Sequence, residues 1–242
     1  MRRVVQDTLH YYYIEPADVI RPQTIIIYHG FGSAAVGSVD LAETFAKEGF
    51  SVVIPELIFH DSRMPFTNHF QPEIMQTYFW KTIFQSIEEF PSLVATIGLR
   101  KENVILLGSS MGGFIASGIA SREANLAGLV NVNGSGSFVF SETLFRDKDD
   151  RGAIPGELLA AFKKFDPVEL GRGIPPTLLL HGECDEIVSI QGQKAYYRYL
   201  AEERDHVIFK SYPNIGHQFT DAMVRDVIEW LHQNFLSVKA NP

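Results

Sequence analysis

A single cysteine, Cys184, stands in 242 residues. One thiol excludes an internal disulfide framework. Long apolar runs are missing as well. None approaches the ~18 residues of a membrane span, so none is expected. Two arginines follow Met1, but no apolar segment stands behind them, which argues against a secretory leader. Positive charge is in deficit: the formal net charge is −8. A nucleic-acid partner wants a basic face, so that class is set aside. No repeat, linker or low-complexity tract interrupts the chain. With 45% hydrophobic and 21% charged residues, the composition is that of an ordinary globular protein. The expectation is one domain over 1–242, in the cytoplasm.

Short β-branched or leucine runs, the mark of buried parallel strands, fall at 24–28, 51–54, 103–107, 126–132 and 177–180. A more mixed run at 206–212 suits a place near an edge, and the tyrosine-rich 8–14 predicts a β segment at the other edge. Helical stretches alternate with them: 39–48, 74–97 interrupted by Pro91, 111–122, 191–203 and 219–235. Such alternation predicts an α/β fold, a mostly parallel sheet with helices on both faces. Two segments break the rhythm. Residues 59–72 form a loop rich in phenylalanine, histidine and proline. Residues 135–174 separate two strands by far more than an ordinary loop, and predict a small cap with a helix at 157–165.

The densest information lies at 103–113, Asn-Val-Ile-Leu-Leu-Gly-Ser-Ser-Met-Gly-Gly. An apolar strand runs into Gly108-Ser-Ser110-Met-Gly112, and a small-residue helix follows. Gly-x-Ser-x-Gly at a strand-to-helix turn is the nucleophile elbow, in which only glycine fits easily two residues either side of the serine. The bare motif arises by chance in roughly one chain in ten of this length, so it needs company. The company is ordered. A serine hydroxyl needs a base, and histidine suits; the imidazole needs an acid to fix its tautomer. Asp185 follows the strand at 177–180, and His217 follows the strand ending at Tyr212, both where ligands of open parallel sheets collect. Ser110, Asp185 and His217 are therefore the candidate nucleophile, acid and base, with Glu183 and Glu186 as rival carboxylates. The oxyanion needs two donors. The amide of Met111 is one candidate. The loop His29-Gly30-Phe31-Gly32 offers the other, Phe31 first and Gly32 in reserve. Phe59, Phe66, Phe70 and Phe138 are candidate pocket residues. No metal or cofactor is required.

Taken together, His29-Gly-Phe-Gly32, Gly108-x-Ser110-x-Gly112, His181-Gly-x-x-Asp185 and Gly216-His217 resemble the α/β-hydrolases. The similarity is strongest to small bacterial serine esterases of the dienelactone-hydrolase-like and prolyl-oligopeptidase-like group. Dienelactone hydrolases proper carry cysteine at the elbow, where this chain has Ser110. The resemblance implies acyl hydrolysis of a small-molecule ester through an acyl-enzyme, with thioester or peptide as alternative substrates. Two other readings stay open. Gly30-x-Gly32-x-x-Ala35, with Glu56 beyond the next strand, matches a dinucleotide-binding pattern and would suit an NAD(P)-dependent oxidoreductase. A hydrolase fold can also bind without catalysing.

Overall fold

A computed structural model describes residues 1–6, 8–171, 175–202 and 206–236. Among them the apolar runs pair into one eight-stranded sheet: β1 (Arg2–Gln6), β2 (Leu9–Ile14), β3 (Thr24–Tyr28), β4 (Ser51–Pro55), β5 (Val104–Ser109), β6 (Gly128–Val132), β7 (Thr177–Gly182) and β8 (Val207–Tyr212). Their order is β1-β2-β4-β3-β5-β6-β7-β8. β1 with β2 and β2 with β4 run antiparallel, and every other pair is parallel. The helices are α1 (Val39–Lys47), α2 (Pro72–Ile97), α3 (Met111–Arg122), α4 (Phe138–Lys148), α5 (Gly156–Lys163), α6 (Pro167–Leu170), α7 (Ile190–Ala201) and α8 (Asp221–Phe235).

Alternation along each strand builds two cores. Ile25, Ile27, Ile105 and Leu107 meet Phe45 of α1 and Trp230 of α8 on one face. Ile26, Tyr28 and Leu106 meet Phe90 of α2 and Phe114 of α3 on the other. With both faces covered, the central strands have no polar side, which is why they read as unbroken apolar runs.

Three expectations need correction. The N-terminal β segment is not the edge: β1 lies outside it and pairs Arg2 with Tyr13 and Val4 with Tyr11. Its mostly exposed residues leave no apolar pattern to read. Pro91 does not interrupt α2, because it faces solvent, where the carbonyl it leaves unpaired can be hydrated. Within 135–171 there are three helices instead of one. Residues 172–174, the end of that expected insertion, and 203, the end of the expected 191–203 helix, lie outside the described residues.

The parallel register sets the site. Tyr28 pairs with Gly108, Ser109 with Val132 and Gly182 with Tyr212, so the loops after β3, β5, β7 and β8 all leave from one edge of the sheet.

Candidate active site

Ser110 stands between β5 and α3 with φ 56° and ψ −123°, a backbone conformation unusual for a residue with a Cβ. Its neighbours explain how the turn is held. A Cβ on Gly108 would lie 1.9 Å from the carbonyl oxygen of Gly112, and one on Gly112 would lie 1.9 Å from that of Tyr28. The turn is thus wedged between its own first helical turn and the end of β3. The Ser110 amide donates to Val132 O at 2.9 Å, which pins the turn to β6.

The three candidates from distant positions meet here. His217 Nε2 lies 2.8 Å from Ser110 Oγ, and His217 Nδ1 lies 2.7 Å from Asp185 Oδ2. The Asp185 side chain is fully buried, while that of His217 is 23% exposed. Asp185 Oδ1 accepts the amides of Ile187 and Val188, both at 2.9 Å, and His181 Nε2 lies 3.3 Å from Oδ2. Burial alone would raise the pKa of this carboxyl. The hydrogen bonds from His181 and His217 outweigh it and hold Asp185 well below the usual carboxylate range, so it is ionised at neutral pH. The rival acids are elsewhere: Glu183 accepts from Ser211 Oγ at 2.6 Å, and Glu186 is exposed. Cys184 is also exposed.

The loop after β3 is held by a polar clamp. His60 Nε2 accepts the amide of Gly32 at 3.0 Å, and its Nδ1–H donates to Ile58 O at 3.0 Å. Asp61 Oδ1 accepts the Ala35 amide at 2.7 Å, and Oδ2 lies 3.1 Å from His29 Nε2. Gly32 is therefore no longer an oxyanion candidate, since its N–H is taken. Neither the Phe31 nor the Met111 amide has an acceptor among the described residues. A Cβ on Gly30 would lie 3.4 Å from Ser110 Cβ, so the loop runs close beside the serine.

His60 accepts in its neutral form, and burial pushes its pKa down to about 4. The folded value lies below the unfolded value of 6.5. Between these, the unfolded chain binds the extra proton, so this contribution to stability is complete above pH 6.5 and is lost as pH falls towards 4. The loss amounts to about 3 kcal/mol. Urea midpoints for the parent should fall over that window. His60→Gln keeps an acceptor for Gly32 without titrating, and should lose less. Parallel curves for the two proteins would rule the effect out.

A cavity of about 340 Å³ opens beside Ser110 and His217. Its apolar lining is Phe31, Phe70, Met75, Phe79, Trp80, Phe145, Ile187 and Val188; its charged lining is Glu142, Lys148, Asp149 and Arg151. Glu142 is buried. It accepts Trp80 Nε1–H at 2.8 Å and pairs with Arg146 at 3.3 Å and Arg151 at 3.1 Å. Of the four candidate pocket phenylalanines, only Phe70 lines this cavity. Phe59 and Phe66 stack on one another 5.7 Å apart and against Tyr78. Phe138 is fully buried against Trp80 and Phe114, behind the wall. Sequence reasoning missed Phe79 and Trp80 of α2 and Glu142 and Phe145 of α4. Their one signal was the density of aromatics in 79–84 and 138–145, which does not say which ring faces the sheet edge. A second, shallower hollow of about 430 Å³ lies along α8, with Arg225, Ile228 and Glu229 on its wall and no nucleophile.

The dinucleotide reading loses its acid. Glu56 is buried, bound by Arg3 Nε at 2.5 Å and by Ser62 Oγ at 2.5 Å. Burial would raise its pKa, but these partners bring it down to about 2. A carboxylate so engaged is not offered to a ribose. No helix among the described residues is long and apolar enough to cross a membrane.

Sheet order, strand-to-helix serine turn and convergent loops define an α/β-hydrolase. The Dienelactone hydrolase family matches residues 9–229, and the chain belongs to that family. It is 26% identical to Esterase YjfP of Escherichia coli (strain K12) over 239 residues, covering 93% of this chain and 94% of that one. Among solved structures, TT1662 from Thermus thermophilus superposes with a TM-score of 0.74 at 18% identity, over 98% of both chains. The acylaminoacyl peptidase of Pyrococcus horikoshii superposes with a TM-score of 0.72 at 13% identity, over all of this chain and 42% of that one. Family and esterase relatives together make this protein a hydrolase.

Proposed function

We propose that this protein is a serine carboxylesterase acting on soluble esters of short to medium acyl length. The observation that carries the reading is the continuous chain Ser110 Oγ, His217, Asp185 at 2.8 and 2.7 Å beside the amides of Phe31 and Met111, which have no acceptor among the described residues. His217 Nε2 takes the Ser110 proton as Oγ attacks the ester carbonyl. The amides of Phe31 and Met111 donate to the oxyanion, and the N-terminus of α3 favours its charge. The tetrahedral centre collapses, His217 returns the proton to the departing alkoxide, and an alcohol leaves. Water then gives a proton to His217 and attacks the acyl-enzyme, releasing the acid and restoring Ser110. Asp185, held ionised, keeps the Nδ1–H tautomer and stabilises the imidazolium. A thioester or amide could follow the same steps, and the acylaminoacyl peptidase likeness keeps the amide in view. Residues 135–171 act as a small cap, since α4 brings Glu142, Phe145 and Lys148 over the cavity. The lone exposed thiol of Cys184 suits the reducing cytoplasm.

The cavity argues for the acyl length. Its lining is mostly apolar but includes four charged side chains, Glu142, Lys148, Asp149 and Arg151, so a cavity of about 340 Å³ offers limited apolar burial. Phe70 at 66% and Ile187 at 60% exposure leave part of the apolar lining open to water, which suits a short acyl group better than a long one. For nitrophenyl esters of two to sixteen carbons, kcat/KM should peak among the shorter members. A maximum at sixteen carbons, or activation at a lipid interface, would discard the assigned substrate class.

A further inference from the structure

We infer that Asn133 is a positioning residue for the hydrolytic site, an assignment that rests on the Ser110–His217–Asp185 reading. Asn133 follows β6, is 1% exposed, and has φ 49°. It does not line the cavity, so it has no substrate to touch. Its side-chain amide instead joins the two loops that carry the base and the acid. Nδ2 donates to the carbonyl of Gln218, the residue after His217, at 2.7 Å. Oδ1 accepts the amide of Gly182, which opens the Asp185 loop, at 2.9 Å. The Asn133 backbone amide binds Leu180 O of β7 at 2.9 Å, and its neighbour Val132 accepts the Ser110 amide at 2.9 Å. One buried residue thus lies on the bonded path from the serine turn to both other loops.

The amide's orientation is dictated by its partners: oxygen must face an N–H, and nitrogen a C=O. The two catalytic loops also bond directly, Cys184 N–H to Ile215 O at 2.8 Å, but that contact lies before His217 in the chain. Asn133 holds the segment after it. His217 is therefore bracketed on both sides, and the asparagine tie decides whether Nε2 stays within reach of Ser110 Oγ. The left-handed backbone, which asparagine tolerates better than most residues, is what turns the side chain back between the loops.

Two variants separate positioning from folding. Asn133→Gly keeps the left-handed backbone and deletes both bonds. Asn133→Asp keeps shape and the Gly182 bond, but sets a carboxylate oxygen against Gln218 O. Active sites are counted by fluorophosphonate titration, with Ser110→Ala as the blank. Both variants should lose about 10²-fold in kcat per titrated site at pH 8, with KM little changed. The Asn133→Asp deficit relative to parent should shrink towards pH 5, because the protonated carboxyl again donates to Gln218 O. Parental kcat per titrated site in either variant, or a deficit independent of pH, overturns the inference. If the Ser110→Ala blank still takes the label, the triad reading itself fails, a separate outcome.

Discussion

Ser110→Ala is expected to lower ester hydrolysis by about 10⁴- to 10⁶-fold, because triad members act as a unit and losing one forfeits nearly all of their joint effect. The geometry singles this hydroxyl out. Ser110 Oγ is 2.8 Å from His217 Nε2, at the tip of a turn whose flanking glycines are wedged against backbone. Alanine removes only the hydroxyl and keeps the turn, so binding and fold should survive. His217 Nε2 is paired with Ser110 and not with Ser109, one residue back at the end of β5, so Ser109→Ala should cost far less. A fluorophosphonate should label the parent on the peptide containing Ser110 and leave Ser110→Ala unlabelled. Substantial turnover by Ser110→Ala, or a label elsewhere, removes Ser110 as the nucleophile.

Asp185→Asn should reduce kcat by about 10⁴-fold without unfolding the protein. The reason is local. Asp185 Oδ1 accepts two backbone amides, from Ile187 and Val188. In the variant the amide oxygen must take that place, since an NH₂ cannot accept. The NH₂ is then driven towards His217 Nδ1, which must give up its proton to accept. The proton moves to Nε2, where it faces Ser110 and blocks general-base action. Glu183→Gln should be mild, because Glu183 spends its carboxylate on Ser211 at the surface. Steady-state kcat with a circular dichroism control decides the matter. If Glu183→Gln proves as damaging as Asp185→Asn, the acid has been misassigned.

What could be read from residue order has a common character: it depended on short-range constraint. The strands were legible because burial on both faces demands apolar residues at every position, as in Ile25, Ile26 and Ile27. The serine turn was legible because glycine alone fits at 108 and 112. Asp185 and His217 were legible as candidates because each follows a strand that parallel pairing must bring to one edge. β1 escaped notice because an exposed strand carries no apolar pattern, and Pro91 misled because its cost vanishes on a solvated helix face.

The amino-acid sequence by itself determined the α/β-hydrolase class and offered three candidate side chains for its chemistry, since both follow from local sterics and the fixed direction of parallel connections. Tertiary structure alone decided which surfaces surround that chemistry. The Gly32 amide was withdrawn by His60, twenty-eight residues away. Phe59 and Phe66 turned to Tyr78, Phe138 sank behind Trp80, and the cavity wall passed to Phe79 and Phe145. Asn133 came to bind loops forty-nine and eighty-five residues further on. Such partnerships are decided by packing among long-range neighbours, and several aromatic or polar residues in one segment compete for each place. Spacing along the chain holds no record of which one wins.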